Sequence, residues 1–496
     1  MTRIYLRLIA CCTLLGSLIA GQPGYAQIPS KAVAVDATGA IHIAGIFSER
    51  ITLGDTTLAV QEATLGAFLA RLKANGEVLW ARLLGEGDTY GYDITSLVTD
   101  GDGYGYVSGT ASDSIRLEPG LWAPRAYIAR YDQDGVFQWT SSEIGSPLDL
   151  AMDAQGDLLA VGATFFDTDT YVGKFDATGN LLWRKQLLEG RGTLGLSIAF
   201  GSEDRPTITG GAGDYLFVSQ LDENGEERWT YQTEGGSLWG SAVALDAQGN
   251  SYFAGSFAGT IEFSDTLSLT EGGRFVAKLN AQGELVWAHA ITGLQPEGDL
   301  ALVLDEANRV HVAVTTSRYN GVAQYGLYLA GYDAAGSQLY TRFLKDVWTG
   351  PYARNFLAVD GERLYVVGAA KAPDTLPEVA TLLHDPEELF FLGSIALSTI
   401  VDRESEPTLP GFELLVAYPN PVRGTSTIEY EIPSASMVEV FVYDVLGRRK
   451  AVLTQSWQTA GRHTLFFDAT SLSSGIYFVQ LRAGKQVQAR AVAVSR

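Results

Sequence analysis

Apolar and polar residues alternate along most of this chain in short runs, paired across a turn of the form Asp/Asn-x-x-Gly. Alternation with period two on both sides of such a turn is the signature of a β-hairpin. One hairpin phrase recurs and ends in tryptophan. It reads FLARLKANGEVLW at Phe68–Trp80, YIARYDQDGVFQW at Tyr127–Trp139 and YVGKFDATGNLLW at Tyr171–Trp183. It returns as FVSQLDENGEERW at Phe217–Trp229, FVAKLNAQGELVW at Phe275–Trp287 and, weakened, YLAGYDAAGSQLY at Tyr328–Tyr340. A second hairpin type precedes each copy, as in AVAVDATGAIHIAG at Ala32–Gly45 and AVALDAQGNSYFAG at Ala242–Gly255.

Two hairpins make a unit of four strands. Seven units are marked, with starts roughly 45–65 residues apart, a spacing that belongs to repeat architectures. Four-stranded sheets repeated radially are β-propeller blades. The predicted fold is therefore all-β: a seven-bladed β-propeller over residues 27–402, followed by a smaller β domain. The turn Asp or Asn closes an Asx-turn, and Gly supplies the positive φ. Asn308 holds the Gly position of the sixth unit. Trp80, Trp139, Trp183, Trp229 and Trp287 are the expected blade-packing wedges, since an indole buries a large apolar area. The seventh unit has a third strand near Phe390–Leu397 but no turn phrase and no Trp. This predicts an incomplete last blade, short or three-stranded, with Thr399–Asp402 as a stub.

The units resemble the SBBP family, seven-bladed propeller repeats of bacterial secreted proteins. The resemblance extends to the connections Phe47–Leu58 and Phe257–Leu269. It implies a fold and leaves activity open.

Pattern and composition change at both ends. Arg3 and Arg7 precede an apolar run from Leu8 to Ala20, and Gly24-Tyr25-Ala26 supplies small residues. Residues 1–26 read as a secretory signal cleaved between Ala26 and Gln27. That run is too short to span a bilayer, so no transmembrane segment is expected in the mature chain. Leu8-Ile9-Ala10-Cys11 has the look of a lipobox but stands too early in the run. Residues 403–411, with charge, two prolines and a glycine, read as a linker.

Residues 412–496 carry seven short predicted strands, which suggests a small Ig-like β-sandwich. They also resemble the type A sorting domain of the type IX secretion system. The motif residues are Tyr418-Pro419-Asn420-Pro421, Gly447 in Val440–Arg448, and Gly475 and Tyr477 in Leu472–Leu481. The resemblance implies the secretion machinery as a partner. It also implies export through the periplasm of a Gram-negative bacterium, ending secreted or attached to the outer surface.

Charge and chemistry then narrow the picture. A formal net charge of −22 argues against nucleic acid and anionic membrane as partners and marks an acidic surface. Both cysteines, Cys11 and Cys12, lie in the signal, so thiol catalysis and disulfides are excluded from the mature chain. His42 and His311 share one repeat position, which points to structure. Asp100/Asp102 and Asp132/Asp134 are turn residues first and calcium candidates second. Phe175–Trp183 resembles the docking motif of quinoproteins, which set adjacent cysteines beside their cofactor. No catalytic, cofactor or metal residues are assigned. The expected function is a binding or adhesion module for an unidentified extracellular glycan or protein, with Ile46–Ala67, Ser256–Arg274 and Ala370–Leu389 as candidate ligand loops. The alternative is a polysaccharide hydrolase or lyase, which needs a pair of carboxylates.

Overall fold

A computed structural model describes residues 32–397 and 413–494, apart from short connecting segments such as 371–378 and 415–421. Among them every regular element is a strand. No described helix is long and apolar enough to cross a membrane. The chain divides into two compact units, Met1–Arg403 and Glu404–Arg496.

The first unit contains seven successive sheets among the described residues. Their innermost strands begin with Ala32–Val35, Asp93–Thr99, Ser146–Met152 and Leu194–Phe200. They continue with Leu238–Leu245, Leu300–Leu304 and Leu357–Asp360. Each innermost strand neighbours the next, and the last neighbours the first, so the sheets stand around a common axis. The Val33 N–H donates to the Asn355 carbonyl at 2.7 Å across the closing seam.

The core lies between sheets. Leu97, Val107 and Tyr127 of the second sheet pack with Leu65, Ala67 and Leu69 of the first. The same pattern joins later neighbours, as with Val276 and Val312 of the fifth and sixth sheets. The seam from the seventh sheet to the first buries Val366 and Leu392 with Ile43 and Phe68. Strands buried on both faces read as near-continuous apolar runs, as in FVAKL, because each sheet is sandwiched by its neighbours.

Two hairpins break the four-strand rule. Ile261–Ser264 and Leu267–Leu269 leave the fifth sheet and extend the outer edge of the fourth, pairing Glu234 with Glu262. Arg50–Leu53 and Thr56–Ala59 leave the first sheet and extend the seventh, pairing Thr52 with His384. Two of the three candidate ligand loops therefore cover sheet edges that otherwise present unpaired N–H and C=O groups.

The expected incomplete last blade needs correction. Its strands run Leu357–Asp360, Arg363–Ala370, Leu389–Ala396 and Val379–His384 from inside to outside. The fourth strand comes from the connection before the third, the last of the three candidate loops. The chain has no turn phrase after the third strand, and the earlier segment fills the open edge. The anticipated stub Thr399–Asp402 lies outside the described residues.

Among its described residues the second unit has two sheets. Glu413–Leu414, Thr425–Ile432 and Gly461–Asp468 form one. Arg449–Gln458, Ser436–Asp444, Gly475–Ala483 and Gln486–Val494 form the other. Ile428, Tyr430 and Phe467 from the first share a core with Val440, Val442 and Val479 from the second.

Candidate functional site

The repeated turn fixes most of the polar chemistry of the first unit. In most of these hairpins the Oδ1 of the turn Asp or Asn accepts the N–H groups two and four residues on; in the first Trp-ended hairpin Lys73 holds that place, and Asn75 accepts the Glu77 N–H instead. Asp36 accepts them from Thr38 (2.9 Å) and Ala40 (3.1 Å). Asp100 takes Asp102 and Tyr104, and Asp132 takes Asp134 and Val136. The two calcium candidates are thus Asx-turns. Among the described residues no group of three or more His, Cys, Asp or Glu is placed to hold a metal ion.

The second oxygen of the first-hairpin Asp points into its own sheet. Asp36 Oδ2 meets His42 Nε2 (3.1 Å) and Arg71 Nη2 (2.7 Å). Asp100 meets Tyr106 (3.0 Å) and Arg130 (3.4 Å), and Asp246 meets Tyr252 (3.2 Å) and Lys278 (3.8 Å). The partners are cross-strand neighbours, such as His42 opposite Arg71 and Tyr252 opposite Lys278. Where Gly201 replaces the turn Asp, the opposed pair is the neutral Thr207 and Gln220. Where Gly331 removes the cation opposite His311, Arg309 takes its place on Asp305 at 2.5 Å. Charge and countercharge are kept or lost together, as burial requires.

Burial alone raises the Asp36 pKa, yet hydrogen bonds from His42, Thr38, Arg71 and Ala40 outweigh it and hold the carboxyl well below its usual range. Asp305 is likewise held at about 2, His311 and Arg309 overcoming burial. His42 is fully buried, and burial lowers its pKa despite the Asp36 contact. In the unfolded chain this imidazole takes a proton near pH 6.5, before the folded one does, so its stabilising effect is complete above that pH and declines below it. The melting temperature should fall as the pH drops from about 7 to 5, and His42→Gln should flatten that slope. An unchanged slope in the variant removes His42 from the account.

The five tryptophans join neighbouring sheets. Trp80, Trp139 and Trp287 Nε1 donate to the turn carbonyls of Gln133 (2.7 Å), Ala177 (3.1 Å) and Ala334 (3.3 Å) in the next sheet. Arg71, Arg130 and Lys278 donate to the same three carbonyls. Each ring also lies on the next turn glycine: Trp80 on Gly135, Trp139 on Gly179, Trp183 on Gly225, Trp229 on Gly283 and Trp287 on Gly336. Tyr340, the sixth copy, instead hydrogen-bonds His311 Nδ1 in its own sheet (2.7 Å).

The axis holds a cavity of about 210 Å³, lined by aliphatic residues such as Val33, Leu97, Leu302 and Leu357 together with the polar Asp149, Ser197, Ser241 and Asn355. Its one carboxylate is Asp149, which is buried. Asp149 Oδ1 accepts from the Ser96 hydroxyl (2.8 Å), the Leu150 N–H (2.9 Å) and the Asn355 amide (3.0 Å). Its Oδ2 accepts the Ile198 N–H (3.0 Å). Ser96 and Ser197 hold the same slot, four residues before the turn, and accept from Leu150 (3.2 Å) and Val243 (3.3 Å) in the next sheet. This lacing escaped the sequence reading. Its signal was an aspartate where other units carry Ala32, Ala242 or Ala301. The basic residue of the third strand, half-buried as Arg71, Arg130 and Lys174 and buried as Lys278, was also legible as a repeat and was overlooked.

Of the sorting residues, Gly475 opens the strand Gly475–Ala483. Tyr477 is buried, and its hydroxyl donates to the Ser473 carbonyl (3.0 Å). Tyr418, Pro419, Asn420, Pro421 and Gly447 lie outside the described residues, as do Ala26 and Gln27.

These features define an all-β protein with a β-propeller and a C-terminal type IX sorting domain, and that domain implies export. Residues 416–495 match the family described as secretion system C-terminal sorting domain. Residues 124–376, just over half of the chain, match the family described as outer membrane protein assembly factor BamB, and the chain belongs to that family of PQQ-like β-propellers. The match falls on the repeats that resemble SBBP units.

No curated protein matches the chain in sequence. Similar solved structures include a protein of unknown function from Bacteroides caccae, at 11% identity and a TM-score of 0.36, covering 64% of this chain and 94% of that one. The Neurospora crassa Pan2 WD40 domain is 10% identical with a TM-score of 0.41, covering 75% and 91%. PorZ, a surface component of the type IX secretion system of Porphyromonas gingivalis, is 12% identical with a TM-score of 0.32, covering 94% and 81%.

Proposed function

We propose that the protein is an exported, non-enzymatic binding or adhesion module: a seven-bladed β-propeller of SBBP type over residues 27–402, delivered by type IX secretion. In this reading residues 1–26 are removed on entry to the periplasm. Residues 403–411 act as a linker, and residues 412–496 form an Ig-like sandwich read by the secretion machinery. The product is released or held at the cell surface, where it meets a glycan or protein.

The observation that supports a binding role is where the buried carboxylates go. The turn aspartates are engaged by backbone N–H groups and by cations of their own sheets, and Asp149 in the axial cavity accepts four hydrogen bonds. Glycoside hydrolysis in its usual form needs two carboxyl groups flanking one bond, and Asp149 is the single carboxylate lining this cavity.

Two measurements test the reading. Glycan and protein arrays probed with the exported chain should give a ligand that is bound and recovered intact; turnover of a bound polysaccharide overturns the binding role. Deleting residues 412–496 should leave the propeller in the periplasm; normal export of the truncated chain overturns the sorting role.

A further inference from the structure

The outer face of the four-stranded sheet in the second unit is unusual in this chain. Its middle strand, Ser436–Asp444, turns Val438, Val440 and Val442 into the core. Alternate residues therefore face outward. Cross-strand pairing sets Met437 opposite Trp457, Phe441 opposite Val452, and Tyr443 opposite both Arg449 and Phe478. Trp457 is 70% exposed, and Val452, Met437 and Phe478 are 50%, 49% and 40% exposed. The Arg449 guanidinium lies over the Phe441 ring at 5.1 Å, and the Phe441 and Tyr443 rings meet edge to face at 6.2 Å. In the propeller, by contrast, large exposed apolar residues such as Leu79, Leu182 and Val286 stand singly, just before a blade tryptophan. Isolated residues of that kind need no partner, whereas here two apolar clusters, Met437 with Trp457 and Val452 with Tyr443 and Phe478, share one face on either side of a polar row of Gln455, Glu439 and Arg482, and apolar clusters rimmed by polar groups mark an interaction site. The outer face of the other sheet carries Glu431, Glu429 opposite Thr464, and Phe466 as its exposed ring.

Charge adds direction. Residues 412–496 contain nine Lys or Arg and six Asp or Glu, a net +3, so the rest of the chain carries −25 of the total −22. Arg448, Arg449, Lys450 and Arg482 are exposed, and Arg482 stands opposite Glu439 on the aromatic face. A partner with an acidic rim around an apolar centre would attract this tail and repel the acidic propeller, which gives both steering and discrimination.

We propose that this face, with Trp457 and Met437 at one end and Val452, Tyr443 and Phe478 at the other, is where the type IX secretion machinery grips the chain. The proposal rests on the sorting role of the domain, and its occupant is a protein surface of the complementary kind just described. Exposed Trp and Arg side chains are the residue types that dominate such contacts.

The test uses the full chain in its native host. Trp457→Ser/Met437→Ser and Arg449→Glu/Lys450→Glu should each cut the exported fraction by about tenfold, with protein accumulating in the periplasm. Purified variants should melt as the parent does, because the altered groups are exposed. If the apolar variant fails to fold, the charge variant decides. Phe466→Ser, on the opposite sheet, should be exported normally. Unchanged export of both face variants overturns the proposal. So does an equal defect in Phe466→Ser, which would make bulk surface hydrophobicity the cause. A parental dimer that the face variants disperse assigns the face to a second copy of the chain. Normal export with lost retention at the cell surface assigns it to a surface component; either result also overturns the proposal. Loss of export on deleting residues 412–496 together with normal export of the face variants would leave the sorting role standing and remove only this face from it.

Discussion

Replacing Asp149 with alanine should destabilise the propeller by about 3 kcal/mol, a large effect for one side chain. The carboxylate has four donors: the Ser96 hydroxyl, the Asn355 amide, and the N–H groups of Leu150 and Ile198. These groups come from the second, third and fourth sheets and, through Asn355, from the segment that enters the seventh, so a single side chain ties four of them around the axis. Each buried donor left without an acceptor costs roughly 1–3 kcal/mol. The sum is reduced because the Ser96 hydroxyl can turn, Asn355 also donates to Ser96 (2.6 Å), and the adjoining cavity admits water. Asp149→Asn separates hydrogen bonding from volume. One oxygen faces three donors and the other faces the Ile198 N–H, so either amide orientation sets an NH2 against a donor. Its expected loss is about 1–2 kcal/mol at nearly constant volume. Equilibrium unfolding in urea measures both, and parental stability in Asp149→Ala would show that the lacing does not hold the ring.

How far the sequence carried can be read from particular segments. The phrase FVAKLNAQGELVW falls on the strands Gly273–Leu279 and Leu285–Ile291 with the turn at Asn280–Gly283, because alternation and Asx-turn chemistry are both local. Asn308 takes φ 58° in the place of a turn glycine. The seven strands marked in residues 412–496 fall within the observed two-sheet unit for the same reason. The failures are long-range. Hairpins at Arg50–Ala59 and Ile261–Leu269 carry their own turns and look like free loops; only the sheet edge they cover explains them. Val379–His384 follows its sheet out of chain order, which a reading that assumes sequential strands cannot assign. Asp149 stood in plain view as a departure from Ala or Ser in its slot, yet its worth depends on donors from Ser96 to Asn355. The pairing of turn Asp with strand cation needed two repeats compared column by column, and was within reach.

The contact between Trp139 and Gly179 should show strong coupling, because the glycine is required for two separable reasons. Gly179 has φ 88°, and a Cβ there would lie 2.6 Å from the Trp139 ring. Forcing an alanine into the left-handed region costs roughly 1–2 kcal/mol, and moving the indole costs more, since its Nε1 is held by the Ala177 carbonyl. Gly179→Ala is expected to lose about 3 kcal/mol in total. Trp139→Ala removes an indole that is partly solvent-exposed, so its loss should sit near the low end of the usual range, about 3 kcal/mol. In the Trp139→Ala background the collision is gone, and Gly179→Ala should cost only the backbone part, about 1–2 kcal/mol. The double variant is therefore expected to be more stable than the sum of the singles by about 1–2 kcal/mol. Simple additivity would mean that the ring and the turn do not bear on each other, and the same cycle at Trp229 and Gly283, where the Cβ would approach to 2.7 Å, provides an independent repeat of the measurement two sheet pairs further round.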